Sequence, residues 1–386
     1  MIPGLIFFCF CILILIGLSV ISIINTLSIP RLTNVKSLAK YPFVSILIPA
    51  RNEEKIIQNT IKMFQLLDYP EYEVIILDDC STDKTYEVAL SASKYDPKIQ
   101  VHSGLPLPPD WLGKNWACHQ LSNIAKGELF IFTDADTIWK PDTLKAIIHL
   151  MQIHQADMMS VFPTQLTVTF TERMVIPLLT FSILAYLPDL LVRYTHHPAF
   201  AAANGQCLVF KKYAYMKING HFAVRNMVLE DMNLAWNLKR KGLKLVIALG
   251  NQILRARMYE NWQQVRNGFT KNILAGYGNS IFLLILSTIF HWSLFLAPWV
   301  GFLICLLLPE SSYWLTFFLA ILTIGILIRL LTNATAKQNI FDGIGMPISV
   351  ILMTIIAFEA IYLKAINKPS VWKGRAVYSL NRKNRQ

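Results

Sequence analysis

Two aspartates two residues apart, Asp134 and Asp136, follow the apolar run Leu129-Phe130-Ile131-Phe132-Thr133. That run reads as a short strand buried on both faces. In an open parallel sheet, ligands bind at the carboxyl ends of strands. Side chains at i and i+2 of an extended chain share one side, so the two carboxylates are expected to face one hard cation, directly or one of them through water. Mg²⁺ or Mn²⁺ held in this way keeps positions open for substrate phosphates. A solvated turn after a strand has the same local sequence, so the pair takes its meaning from its neighbours.

Those neighbours are polar groups at other strand ends. One apolar run, residues 43–49, leads into Pro49-Ala50-Arg51-Asn52-Glu53-Glu54; a second, residues 73–77, leads into Asp78-Asp79-Cys80-Ser81-Thr82-Asp83. Helices are expected just after both, and helix N-termini favour anions. Lys114, near the start of another helix, adds a positive charge that suits a diphosphate. The set reads as a nucleotide-diphosphate site: a carboxylate for base or ribose, a cation for the phosphates, and backbone dipoles around both. Further along, Glu230-Asp231 opens an apparent helix. Acids there serve either as partners of the helix dipole or as a general base that takes the proton of an attacking hydroxyl. Gln263, Arg266 and Lys271 precede an apolar stretch; the two cations suit diphosphate oxygens or anionic lipid. His196 and His197 are adjacent, so they point apart, and no acid has metal-ligand spacing to them.

The elements that must position these residues alternate in type. Strands are expected at 43–49, 73–77, 99–101, 129–133 and 158–161. Helices are expected at 53–67, from a Ser81-Thr82-Asp83 cap to about Ser93, up to Ala125, and from Pro141. Alternation of this kind means an α/β domain with a parallel sheet and helices on its faces. The expected organisation is a membrane anchor at 1–25, a linker at 26–42, the α/β domain at 43–275, membrane helices at 276–366 and a basic tail at 367–386.

Composition agrees. Of 386 residues, 54% are hydrophobic and 16% charged, so much of the chain is not made for water. Residues 5–24 carry no charge and are long enough to cross a bilayer. With no basic flank before them and no small-residue cleavage site after, they read as a retained anchor. Arg31, Lys36 and Lys40 follow, which by the positive-inside rule places the α/β domain in the cytoplasm of a multi-pass cell-membrane protein. Three more apolar spans, 281–308, 314–328 and 344–363, complete the count. Four spans put the tail outside, yet the tail is basic, so the charge rule and the span count disagree there. Residues 172–192 are apolar but broken by Pro177 and Pro188; they fit an interfacial segment or a buried helix. The net charge of +12 suits an anionic membrane face and an anionic substrate. No basic helix or aromatic-basic platform speaks for nucleic acid. Six scattered cysteines without a CxxC spacing fit a reducing compartment and exclude a zinc motif.

Taken in order, Ser45 to Glu53, Asp78-Asp79-Cys80-Ser81, Asp134-Ala135-Asp136, Glu230-Asp231 and Gln263-x-x-Arg266 resemble the inverting family 2 glycosyltransferases over roughly residues 43–270. The resemblance implies the GT-A fold, a Rossmann-like, mostly parallel sheet. It implies donor contacts from Pro49, Ala50, Arg51, Glu53, Asp78, Asp79, Lys114, Asp134, Ala135, Gln263 and Arg266. It implies Mg²⁺ or Mn²⁺ at Asp134 and Asp136, and Asp231, beside Glu230, as the base. Asn267 stands where processive members carry the tryptophan of Gln-x-x-Arg-Trp, which argues against polymer synthesis. Gly113 to Cys118, Ala202-Asn204-Gly205-Gln206 and Trp372-Lys373-Gly374-Arg375 resemble a membrane subgroup that includes carotenoid glycosyltransferases and the hopanoid-associated glycosyltransferase. The implied activity is transfer of a sugar, glucose from UDP-glucose as the first choice, to a lipid acceptor. The competing readings are transfer to polyprenyl phosphate and a membrane protein that binds nucleotide sugar without transferring it.

Overall fold

The computed structural model describes residues 2–308, 313–368, 370–372 and 375–377. It divides the chain into a unit holding Ile29–Leu166 and Leu190–Met258 and a unit holding Met1–Ser28, Thr167–Asp189 and Tyr259–Val371. Thr167–Asp189 and Tyr259–Val371 thus fall outside the sheet unit, whereas the sequence suggests one domain over 43–275.

The first unit is built on strands β1 (Val44–Ala50), β2 (Tyr72–Asp78), β3 (Ile99–Ser103), β4 (Leu129–Thr133), β5 (Thr137–Trp139), β6 (Met158–Phe162), β7 (Thr164–Gln165), β8 (Cys207–Lys211), β9 (Leu245–Leu249) and β10 (Leu254–Ala256). Seven of them form one sheet in the order β3-β2-β1-β4-β8-β6-β9. β1, β2, β3 and β4 are parallel neighbours, as are β6 and β9, while β8 runs antiparallel to both β4 and β6. The sheet is therefore mixed, not wholly parallel. β8 and β9 are short apolar runs that local pattern does not separate from buried helix, and neither was foreseen. β5, β10 and β7 make a small second sheet.

Val44, Ile46, Ile48, Ile131 and Val209 are fully buried within one core, as a sheet covered by helices requires. The helix expected over 53–67 runs from Ile57 to Gln65 and buries Ile57, Ile61 and Phe64, one face at i, i+4 and i+7. The next helix starts at Thr85, later than the cap expected at 81–83; Asp83 Oδ1 still accepts from the Thr85 amide at 3.0 Å. Gly113–Ile124 and Thr143–Ile153 lie where the pattern placed them.

Among the described residues the second unit holds four helices long and apolar enough to cross a membrane: Gly4–Ser28, Ile281–Leu307, Leu315–Thr335 and Ile340–Ala365. Residues 172–192 break into short helices, of which Leu178–Tyr186 places Phe181 and Ala185 in a core with Leu15 and Ile328. Asn25, fully buried in the first apolar helix, closes the end of Leu178–Tyr186: its Nδ2 donates to Leu184 O at 2.9 Å and Leu187 O at 2.8 Å, and its Oδ1 accepts from the Asp189 amide at 2.8 Å. Of the expected basic tail, residues 369, 373, 374 and 378–386 lie outside the described residues.

Candidate active site

Asp134 leaves the end of β4 and Thr137 opens β5, so the D-x-D pair sits in the tight turn between two strands and not on the extended backbone expected of it. The turn is pinned from several sides. Asp134 O accepts from the Thr137 amide at 3.3 Å and from Thr137 Oγ1 at 2.9 Å. Ala135 O accepts from Thr60 Oγ1 at 2.8 Å, which ties the turn to the Ile57–Gln65 helix. The Thr133 hydroxyl donates to Gln206 O at 2.9 Å, which binds β4 to the loop before β8.

That loop brings the second acidic pair to the first. Gly205 donates its amide hydrogen to Asp231 Oδ2 at 2.7 Å, and Asp231 Oδ1 accepts from the Met232 amide at 2.7 Å. Glu230 and Asp231 open the Glu230–Arg240 helix. Lys114, in the first turn of Gly113–Ile124, closes the cluster: its Nζ lies 2.8 Å from Asp134 Oδ1 and 3.4 Å from Glu230 Oε1. A Cβ on Gly205 would stand 3.2 Å from Lys114 Nζ, 3.3 Å from Glu230 Oε1 and 3.5 Å from Asp231 Oδ2. The charged groups therefore meet over a residue that has no side chain. Asn115, 1% exposed, holds the approach to this helix by donating to the carbonyls of Val224 at 2.8 Å and Met227 at 3.0 Å.

Electrostatics follow from the packing. Burial first, and Glu230 second, lift the Asp231 carboxyl to about 7 against the lowering effect of the two amide donors and Lys114. Burial pulls the Lys114 ammonium down, but Asp134 and Glu230 outweigh it and hold its pKa well above the ordinary lysine value. Cys118, buried beneath Lys114, is pushed far up by burial, so it is an inert thiol.

A second edge of the sheet lies at the ends of β1 and β2. Asn52 and Cys80 both take left-handed backbone, with φ of 53° and 51°. Two chain reversals are zipped together there: Arg51 Nη1 donates to Asp79 O and Cys80 O, each at 2.6 Å, Asn52 Oδ1 accepts from the Thr82 amide at 2.9 Å, and the Glu53 amide donates to Thr85 Oγ1 at 2.7 Å. Asp78 is 6% exposed; its Oδ2 accepts from the Ser81 amide at 3.1 Å, and its Oδ1 has no hydrogen-bond partner among the described residues.

Of the residues singled out by sequence, Lys114, Asp134, Glu230 and Asp231 form one cluster, and Arg51, Glu53, Asp78 and Asp79 form the zipped edge with Pro49 and Ala50 leading in. Gln263 and Arg266 belong to the second unit, on the Trp262–Gly276 helix, where Arg266 Nε pairs with Glu359 Oε2 at 3.1 Å. Gly205 and Asn115 were missed as site residues; both lie inside the short motifs, Gly113 to Cys118 and Ala202 to Gln206, that carried the subgroup resemblance. Among the described residues no three His, Cys, Asp or Glu side chains gather into a metal cage. An all-oxygen pair such as Asp134 and Asp136 still fits Mg²⁺ or Mn²⁺, which commonly take one or two carboxylates and complete the shell with water and substrate phosphate.

Residues 45–210 match the model of Glycosyl transferase family 2. These residues are a family 2 glycosyltransferase domain. The 4,4'-diaponeurosporenoate glycosyltransferase of Staphylococcus aureus (strain USA300) is 28% identical over 244 residues, which are 61% of this chain and 62% of that protein. The protein of the same name from strain MRSA252 is 29% identical over the same length. The chain thus spans 62% of the length of these curated relatives. Among solved structures, a mannosyltransferase from Pyrobaculum calidifontis in complex with GDP-Man and Mn²⁺ aligns at a TM-score of 0.51 and 14% identity, covering 90% of this chain and 99% of that one. The fold is GT-A, as the resemblance implied. The family 2 domain contains the β1 and β2 edge, Lys114, the D-x-D turn and Gly205, whereas Glu230 and Asp231 follow it.

Proposed function

We propose that the protein is a membrane-bound inverting glycosyltransferase that moves a sugar, glucose in the first instance, from a nucleotide-sugar donor to a lipid acceptor of the carotenoid or isoprenoid class. The observation that carries this reading is Asp231, a carboxyl lifted to about 7 and anchored on the Gly205 amide, in one cluster with Lys114 and the D-x-D aspartate. The relatives at 28–29% identity support the acceptor class through their name.

The nucleoside sits at the β1 and β2 edge, where Asp78 Oδ1 accepts a hydrogen from base or ribose. Lys114 faces the diphosphate. Asp134 and Asp136 hold Mg²⁺ or Mn²⁺, which when bound supplies charge stabilisation for the leaving diphosphate. Asp231 takes the proton of the acceptor hydroxyl or carboxyl. The acceptor oxygen bonds to the anomeric carbon as the bond from that carbon to the diphosphate oxygen breaks on the opposite face, so configuration inverts. Arg31, Lys36 and Lys40, just after the first apolar helix, support a cytoplasmic domain on a multi-pass cell-membrane protein.

The test is nucleotide release by the full chain in lipid nanodiscs, with UDP-glucose, Mn²⁺ or Mg²⁺ and lipid extracts, and mass spectrometry of the product. Metal-dependent release with formation of a glycolipid is expected. Absence of release with every lipid extract and every nucleotide sugar supplied would overturn the reading.

A further inference from the structure

An apolar cavity of about 910 Å³ lies wholly inside the helical unit. That is at the upper end of the roughly 300–1,000 Å³ typical of ligand pockets. Phe10, Phe181 and Phe269 reach it from three separate helices. Such rings suit a flat conjugated or isoprenoid chain, which stacks on aromatic faces and loses little freedom on binding.

Two further features set this cavity apart from a gap between membrane helices. First, the helix Ile281–His291 passes into a π-helical stretch, Trp292–Leu296, that contributes Ser293 and Leu294 to the wall. Such a stretch is uncommon and recurs at functional sites. Second, Tyr186, Tyr277, Ser287 and His291 form a polar corner in the apolar wall. His291 Nδ1 lies 2.7 Å from Ser287 O, which assigns the ring proton to Nδ1, and Nε2 then accepts from the Tyr186 hydroxyl at 3.1 Å. Tyr277 and Ser287 are 2.6 Å apart through their hydroxyl oxygens. The pair has two hydroxyl protons and one mutual hydrogen bond. Its other close nitrogen, His291 Nδ1 at 3.4 Å, is itself a donor. Among the described residues no further acceptor is bonded to the pair, so one O–H is left to be satisfied from the cavity, and leaving it unmet in apolar surroundings is costly.

We propose that this cavity binds one polyene or isoprenoid lipid whose carboxyl or hydroxyl oxygen accepts a hydrogen bond from the Tyr277–Ser287 pair. The choice of an isoprenoid chain rests on the reading of the protein as a lipid glycosyltransferase; the binding itself does not require transfer.

The experiment titrates the full chain in nanodiscs with all-trans-retinoic acid, a polyene acid, and reads quenching of tryptophan fluorescence, with palmitoleic acid as competitor. Saturable binding of one equivalent is expected, and the near-isosteric double variant Tyr277→Phe with Ser287→Ala should weaken it about tenfold. Ala357→Phe, which fills the cavity, should abolish it; the double variant decides the matter if that protein fails to fold. Unchanged affinity in the double variant, or equal competition by palmitoleic acid, overturns the proposal. Retinoic acid binding without nucleotide release from any lipid extract would sink the transfer reading and leave this one standing.

Discussion

The amide of Gly205 donates to Asp231 Oδ2 at 2.7 Å, and this bond joins the loop before β8 to the first turn of the Glu230–Arg240 helix. A carboxylate held by two backbone amides and raised by burial has one fixed orientation and a proton affinity suited to neutral pH. That combination is what a general base needs.

Asp231→Asn should lower turnover by about 10²–10⁴-fold, the usual weight of a general base. Asparagine keeps an oxygen for the Gly205 amide, so UDP binding should stay within about threefold of wild type. Initial rates and calorimetric titration with UDP check both halves. Equal loss of both would remove Asp231 from its role.

The same residue sets the pH dependence. Its carboxyl is lifted from 3.8 to about 7, by burial first and Glu230 second. With Asp231 as the proposed base, the deprotonated form is the active one, so kcat/KM should rise with pH and level off above about 7. In stability the sign is opposite. Between pH 3.8 and about 7 the folded protein keeps a proton that the unfolded chain releases, so stability is lost as pH rises through that window. Asp231→Asn should therefore melt higher than wild type at pH 8 and equal it near pH 4, read by thermal melts in detergent.

Gly205→Ala should fold and lose roughly ten- to a hundredfold in kcat. Its methyl group would stand 3.2 Å from Lys114 Nζ and 3.3 Å from Glu230 Oε1. The lysine head is flexible and moves aside, leaving the charged cluster misplaced. A kcat within twofold of wild type would show that the close approach is unimportant.

Lys114→Met should raise the donor KM by about tenfold, since it removes the cation proposed to face the diphosphate. It also removes one of the influences that lower Asp231, so the midpoint of the pH–rate profile should move above 7. A midpoint that stays put would separate Lys114 from the base.

Cys80 is an exposed thiol in the reversal after β2. Alkylation by a maleimide should be slowed several-fold by saturating UDP if the nucleoside occupies this edge. Mass spectrometry of the labelled peptide reads the rate, and an unchanged rate would move the nucleoside elsewhere.

Much of the candidate cluster was legible because acids and a lysine fall where strands stop and helices begin. Lys114, Asp134, Glu230 and Asp231 were found on that ground, and the four long apolar helices on length alone. Gly205 was not legible as a site residue, because its contribution is an amide hydrogen and an absent Cβ, which residue type does not announce. The turn at Asp134 was read as extended backbone because it is made by distant hydroxyls, Thr60 among them. The reversed direction of β8 likewise has no local signature: Cys207-Leu208-Val209-Phe210 reads the same whichever way its neighbours run. Arg266 was read for its charge, and its partner Glu359 lies 93 residues away, beyond any motif.

Asn25 carries a practical warning. The first apolar helix has the look of a detachable leash, and trimming such a segment is the customary route to a water-soluble fragment. Here its amide group answers the carbonyls of Leu184 and Leu187 and the amide of Asp189. A fragment starting at Ile29 would strip these groups of a side-chain clamp in a region that water reaches poorly, and preparations of the protein should keep the leash in place.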